Sequence, residues 1–220
     1  MEICKLVNVE KSYESEENTF PLKKVSLCVN SGDFLCIEGP SGSGKSTLLY
    51  IMGGLLSPCS GEVFIDKENI CNVSSSDLSN IRKDKVGFIF QDSFLIEALS
   101  VRENLAFIQS IKEKVDYNKI DELLKKLGLY EKRNSLPYQL SGGQRRRVMI
   151  ACVIIKNPLL ILADEPTNDL DDYWASKVLD LLSDLCTVGK GIVLVTHNTY
   201  WAKKAKYRYS LKNGELNIIK

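Results

Sequence analysis

FLCIEGPSGSGKSTLLYIMGG, residues 34–54, decides how the chain folds. A short apolar run, 34–38, leads into a glycine-rich loop, and the loop opens a helical stretch over 45–54. Gly39-Pro40-Ser41-Gly42-Ser43-Gly44-Lys45-Ser46-Thr47 fits GxxxxGK[ST] at every position. Glycines let successive backbone N–H groups wrap phosphates at a helix N-terminus. Lys45 then reaches the terminal phosphates and Ser46 offers its hydroxyl to magnesium. Strand, loop and helix in that order predict a chain that binds a nucleoside triphosphate.

Further strands are expected at 2–9, 62–66, 86–90, 159–163 and 191–195, with two short ones near 207–211 and 215–219. The runs 25–29 and 34–38 are split by the turn NSGD, which predicts an antiparallel pair near the N-terminus. Strands alternating with helices imply a mostly parallel sheet, hence an α/β fold with a P-loop NTPase core and an N-terminal antiparallel β subdomain. The serines at 74–76 read as the cap of a helix over 76–83. Between about 95 and 140 apolar residues recur at helical spacing, from Leu99, Val101, Leu105, Phe107, Ile108 and Ile111 to Ile120, Leu123, Leu124, Leu127 and Leu129. The expectation is one domain over 1–220 with a helical insertion spanning about 95–155.

Lys and Arg number 29 against 28 Asp and Glu, a net charge of +1, so no global field draws nucleic acid or anionic lipid. Cys4, Cys28, Cys36, Cys59, Cys71, Cys152 and Cys186 form no CxxC or Cys/His pair, several sit within apolar runs, and they read as small core residues in a reducing compartment. MEICKLVNVEK lacks the flank and apolar stretch of a signal peptide, and nowhere do about 20 apolar residues run together, so a cytoplasmic chain is expected.

LLILADEP ends an apolar strand in Asp164-Glu165, which puts both carboxylates in the crevice at the carboxyl end of a parallel sheet. Side chains alternate along extended backbone, so the two acids face different tasks. Asp164 suits the magnesium shell, and Glu165 suits polarising an attacking water. GIVLVTH repeats the design, ending in Thr196-His197, the only histidine of the chain. Gln91 follows VGFIF and starts the insertion, where a neutral amide binds magnesium or water and reports occupancy. Tyr13 is a candidate to stack on the base. Asp84-Lys85-Val86-Gly87 and Asn118-Lys119-Ile120-Asp121 match the DxxG and NKxD of a GTPase, yet DKVG precedes its strand and NKID opens a helix with Asn118 as its expected N-cap.

A second glycine pair stands in LSGGQRRRV, 140–148, at the head of a basic, then apolar, helix. With GPSGSGKST, Gln91, LILADEP, Asp171 and His197 it forms an ordered set that resembles the ATP-binding subunit of an ABC transporter over essentially the whole chain. STLLYIMGGLLSPCSGEV, IRKDKVGFIFQ and ADEPTNDLD are most similar to the macrolide-exporter and lipoprotein-release group. The resemblance implies ATP and Mg2+ as cofactors, ATP hydrolysis by Glu165 with His197 and Gln91, and magnesium held by Ser46, Gln91 and Asp164. It implies two copies closing head to tail on two ATP, each ATP lying between one phosphate loop and Ser141, Gly142, Gly143 and Gln144 of the other copy, with Asp171 in the dimer loop. It also implies a separate transmembrane permease, met by the insertion and by Phe94, Leu95 and Ile96, and a location at the inner face of the cell membrane. A soluble ATPase of the same type, acting on DNA or ribosomes, is the rival; the coiled-coil interruption or second cassette expected of it does not occur in these 220 residues.

Three departures stand out. Met149-Ile150-Ala151-Cys152-Val153 replaces an Ala-Arg-Ala-type run, removing the arginine of an ion pair behind the site. Asn168-Asp169-Leu170-Asp171 replaces the more usual GNLD and keeps Asp171. Arg145, Arg146 and Arg147 lie near a helix N-terminus, against the dipole, where a partner or phosphate could compensate them, although the commoner reading is a solvated face.

Overall fold

The computed structural model describes residues 1–13, 19–92 and 94–219. Strands β1 (Glu2–Tyr13), β2 (Thr19–Asn30), β4 (Ser60–Ile65) and β5 (Glu68–Asn69) form an antiparallel sheet in the order β2-β1-β4-β5. A second sheet runs β10-β9-β3-β8-β7-β6, from β3 (Phe34–Glu38), β6 (Val86–Ile89), β7 (Leu160–Asp164), β8 (Gly191–Val195), β9 (Tyr207–Lys212) and β10 (Glu215–Ile218). Its pairs are parallel except the β9/β10 hairpin, which turns at Asn213-Gly214 with φ of 54° and 83°.

The pair expected across NSGD does not form, because β2 and β3 lie in different sheets and β2 pairs with β1. The reason is burial. Phe34, Leu35, Cys36 and Ile37 are all buried, so β3 must sit centrally with both faces covered, and it pairs with β8 and β9.

The alternation of the central strands separates two cores. Cys36, Ile161, Ala163, Ile192 and Leu194 face the helical side, packing with α5 (Gly142–Ile155) and α6 (Asp172–Thr187). Leu35, Ile37, Leu160, Leu162, Val193 and Val195 face the antiparallel sheet and α1 (Lys45–Met52). The phosphate-loop helix is thereby sandwiched between the two sheets.

Helix α2 (Ser75–Lys85) is capped by Ser74, whose side chain accepts from the N–H of Asp77. The insertion carries α3 (Val101–Ser110), with a Ser100/Glu103 capping box, and α4 (Tyr117–Lys126) before α5. The cap of α4 is Asp116, not Asn118: its carboxylate accepts from the N–H groups of Asn118 and Lys119. A carboxylate two positions upstream, at the N-cap, serves two orphan donors, which an amide inside the first turn does not. The insertion is also less closed than its periodicity suggests, because Phe107 and Ile111 lie on its outer face, each 47% exposed.

Candidate functional site

Glu38 closes β3 and is gripped by Arg208, whose Nε and Nη2 donate to its two oxygens at 2.7 and 3.0 Å. From there the loop must turn without side chains. A Cβ on Gly39 would lie 2.4 Å from the carbonyl oxygen of Leu211, and one on Gly44 (φ 97°) 2.6 Å from that of Pro21. Gly42 (φ 77°) faces open space instead, with nothing within 4 Å of a Cβ there. The Oγ of Ser43 is buried with no hydrogen-bond partner among the described residues. Lys45 folds back, donating from Nζ to the carbonyls of Gly39 and Pro40 at 2.9 and 2.8 Å. An orphaned hydroxyl, a retracted ammonium and an open glycine at a helix N-terminus together fit a phosphate chain. The loop borders an open cleft of 910 Å³ that runs from Tyr13 across Pro40–Thr47 to Lys212, Asn213 and Gly214.

Asp164 is the last residue of β7 and 5% exposed, with the Ser46 hydroxyl near enough to its carboxylate to favour the charged form. Burial pushes this carboxyl above its ordinary range, against the pull of Ser46, Lys45 and Arg146. Glu165 adopts φ 47°, which swings its side chain away from that of Asp164. Its Oε2 accepts from Thr196 Oγ1 at 2.9 Å, and its Oε1 accepts from the backbone N–H of His197 at 2.9 Å. The strand ends thus deliver the two acids to separate neighbours, Ser46 and the Thr196–His197 pair.

Gln91 follows β6, and its carbonyl accepts from Arg146 at 2.7 Å. Arg146 does not belong to a solvated face: it is the largest fully buried side chain among the described residues. Burial pulls its guanidinium pKa down, opposed by the field of Asp169, Asp164, Glu165 and Asp92. Arg147 is also buried, donating to the carbonyl of Leu127 at 2.6 Å and lying 3.8 Å over the ring of Trp174. Only Arg145 is partly exposed, pairing loosely with Glu97 at 3.4 Å. A buried cation behind the site is therefore present, although Cys152 stands where the usual arginine would be; that thiol is buried and pushed up to about 12.

Ser141 caps α5 in a capping box: its Oγ accepts from the N–H of Gln144 at 3.3 Å, while Gln144 Oε1 accepts from the N–H of Ser141 at 3.0 Å. The N–H groups of Gly142 and Gly143 remain among the orphan donors of that helix end. Gly143 is needed for a second reason, since a Cβ would lie 2.7 Å from the carbonyl oxygen of Asp169. Asp171 caps α6, accepting from the N–H of Trp174 at 2.8 Å, and the approach of Gly143 to Asp169 brings the loop before α6 against the head of α5. None of Ser141–Gln144 lines the cleft of the phosphate loop.

Residues 22–168 match the ABC transporter family (ABC_tran). The chain belongs to that family. It is 39% identical to the lipoprotein-releasing system ATP-binding protein LolD of Buchnera aphidicola, covering 97% of this chain and 96% of that one. It is 40% identical to the macrolide export ATP-binding/permease protein MacB of Mannheimia succiniciproducens, covering 98% of this chain and 34% of that protein. A solved structure of the MJ0796 cassette of Methanocaldococcus jannaschii, a dimer in a post-hydrolysis state bound to ADP and Pi, superposes with a TM-score of 0.91 at 39% identity, covering 99% of each chain. This ABC cassette is an ATPase, an ATP-binding subunit of the transporter type.

Two parts of its site were not expected from sequence. Lys212, Asn213 and Gly214 reach the cleft only because β9 pairs beside β3, and the Asn-Gly hairpin signal marks the turn without saying where it lies. Arg146 was hidden among three arginines of which only the helix phase separates the buried from the exposed.

Proposed function

We propose that residues 1–220 act as one ATP-binding domain that pairs head to tail with a second copy around two ATP and drives a separate membrane permease. The observation that carries this reading is the separation, within one chain, of a phosphate cleft and a capped helix end that does not line it. Each is half of a nucleotide site. A second copy brings Ser141, Gly142, Gly143 and Gln144 to the phosphates held by Gly39–Thr47, with Asp171 beside the junction.

Within each half, Lys45 exchanges its loop carbonyls for phosphate oxygens, and the N–H groups of the loop wrap the phosphate chain. Tyr13, 43% exposed at the cleft mouth, offers a ring face to the base. No three His, Cys, Asp or Glu residues among those described group as a metal cage, which suits magnesium, an ion that takes one or two protein ligands beside phosphate and water. Ser46 and Asp164, which lie beside each other at the loop, would hold it with Gln91, and when bound it would neutralise charge developing on the phosphates. Glu165 orients the attacking water, and His197 and Thr196 hold that carboxylate in place.

Phe94, 73% exposed, and Ile96, 40% exposed, offer an apolar surface to a permease helix where the insertion begins, while Leu95 packs inward on the helical core. Among the described residues no helix is long and apolar enough to cross a membrane, so the membrane is reached through the permease, at its inner face. Likeness to the lipoprotein-release and macrolide-export proteins favours export or extraction of a peptide, drug or lipid-linked cargo, with no nucleic-acid partner.

The test is Glu165→Gln. It should bind Mg-ATP, lose about 10²–10⁴-fold in turnover and accumulate an ATP-dependent dimer on size exclusion. Hydrolysis near the wild-type rate would overturn the assignment.

A further inference from the structure

Arg146 presents five N–H donors to five backbone carbonyls. Nε donates to Pro166 at 3.1 Å, one terminal nitrogen to Gln91 at 2.7 Å and to Phe90, and the other to Asp164 at 3.0 Å and to Glu165. The acceptors come from two segments far apart in sequence, the end of β6 with the start of the insertion, and the end of β7. The donor comes from a third, one helical turn beyond Gly142 on α5. Burying a guanidinium without an ion pair at contact distance is costly, and it persists where its hydrogen bonds are all made. Lysine, a point charge with three donors, cannot make this pattern.

We infer that Arg146 is a positioning residue for hydrolysis: it fastens the head of the signature helix to the backbone of Gln91 and of Asp164–Pro166. Seating of the partner copy's ATP on Ser141–Gln144 therefore registers at this chain's own hydrolytic carboxylate. The inference rests on the roles proposed above for Ser141–Gln144 and Glu165. A tie acting only on fold stability would lower the melting temperature and leave the kinetics of the folded fraction unchanged. A positioning tie changes kcat and the cooperativity between the two ATP sites while leaving ATP binding at the phosphate loop alone.

The experiment compares Arg146→Gln, Arg146→Lys and Glu165→Gln in the full chain. It reads melting temperature, affinity for a fluorescent ATP analogue, kcat, KM and the Hill coefficient. In the folded Arg146 variants kcat should fall about 10²-fold, affinity and KM should stay within about twofold, and the Hill coefficient should drop toward one. Lysine should rescue no better than glutamine. Wild-type kcat in either folded variant, recovery in Arg146→Lys, a loss of affinity matching the loss of kcat, or failure of both variants to fold would each overturn the inference. Glu165→Gln separates the two layers: if it is inactive while the Arg146 variants turn over normally, only the positioning role fails, and if it hydrolyses ATP, the reading of the site fails.

Discussion

His197 Nδ1 lies 2.7 Å from Glu165 Oε1, the same oxygen that accepts the backbone N–H of His197. With Thr196 on Oε2, the carboxylate is held at both oxygens by the two residues that follow β8. The imidazole is 70% exposed while the carboxylate it holds is nearly buried. His197→Ala should leave ATP affinity unchanged and lower kcat by about 10²-fold, the range set by losing the orienter of a general base. Steady-state kinetics beside nucleotide titration check this.

Gly142 and Gly143 should differ. A methyl on Gly142 comes no closer than 3.9 Å to Asp169, whereas one on Gly143 meets the Asp169 carbonyl at 2.7 Å. Gly143→Ala should displace the loop that leads to Asp171 and abolish the ATP-trapped dimer in a Glu165→Gln background, with ATP binding by the monomer intact. Gly142→Ala should retain more of the dimer. Analytical ultracentrifugation with and without ATP distinguishes them.

Tyr13 has Lys11 Nζ at 5.5 Å from its ring centroid, and Lys11 is itself tied to the carbonyl of Ser57 at 2.9 Å. Stacking of a base on this ring is indifferent to its edge, so Tyr13→Ala should weaken ATP and GTP alike, by about 1–3 kcal/mol. Parallel titrations with both nucleotides measure it.

Lys156 donates to the carbonyls of Arg82 and Val86, each at 2.8 Å, and burial, with Lys112 nearby, brings its ammonium down from 10.5 to about 8. Its folded pKa lies below its unfolded one, so between about pH 8 and pH 10.5 the unfolded chain binds more protons and this residue's contribution to stability rises with pH. Buried thiols such as Cys36 and Cys152, pushed up to about 12, act in the opposite sense in alkaline solution. The Lys156 effect is therefore read as a difference: the melting temperature of the wild type minus that of Lys156→Met should increase from pH 8 to pH 10.

The phosphate loop, the acids after β7 and the histidine after β8 were legible because each is a short motif whose geometry is local. A strand end fixes where the next two side chains go. What sequence hid was set by long-range pairing and helix phase. The run 34–38 looked like half of a hairpin until its burial on both faces placed it between β8 and β9. Arg145, Arg146 and Arg147 looked alike, although steps of about 100° around α5 point one outward and bury two. Asn118 lost the α4 cap to Asp116 because Asx capping depends on a single position.

In the proposed dimer each ATP is shared between two chains. In a Glu165→Gln background, Lys45→Ala weakens the phosphate loop and Ser141→Arg blocks the signature end, and neither variant alone should form an ATP-trapped dimer. Mixed with different tags, the two should assemble one whole site, from the phosphate loop of the Ser141→Arg chain and the signature of the Lys45→Ala chain. An ATP-dependent heterodimer, recovered on tandem affinity purification with bound ATP, is the expected result. Two folded variants that yield no heterodimer above either parent alone would contradict it.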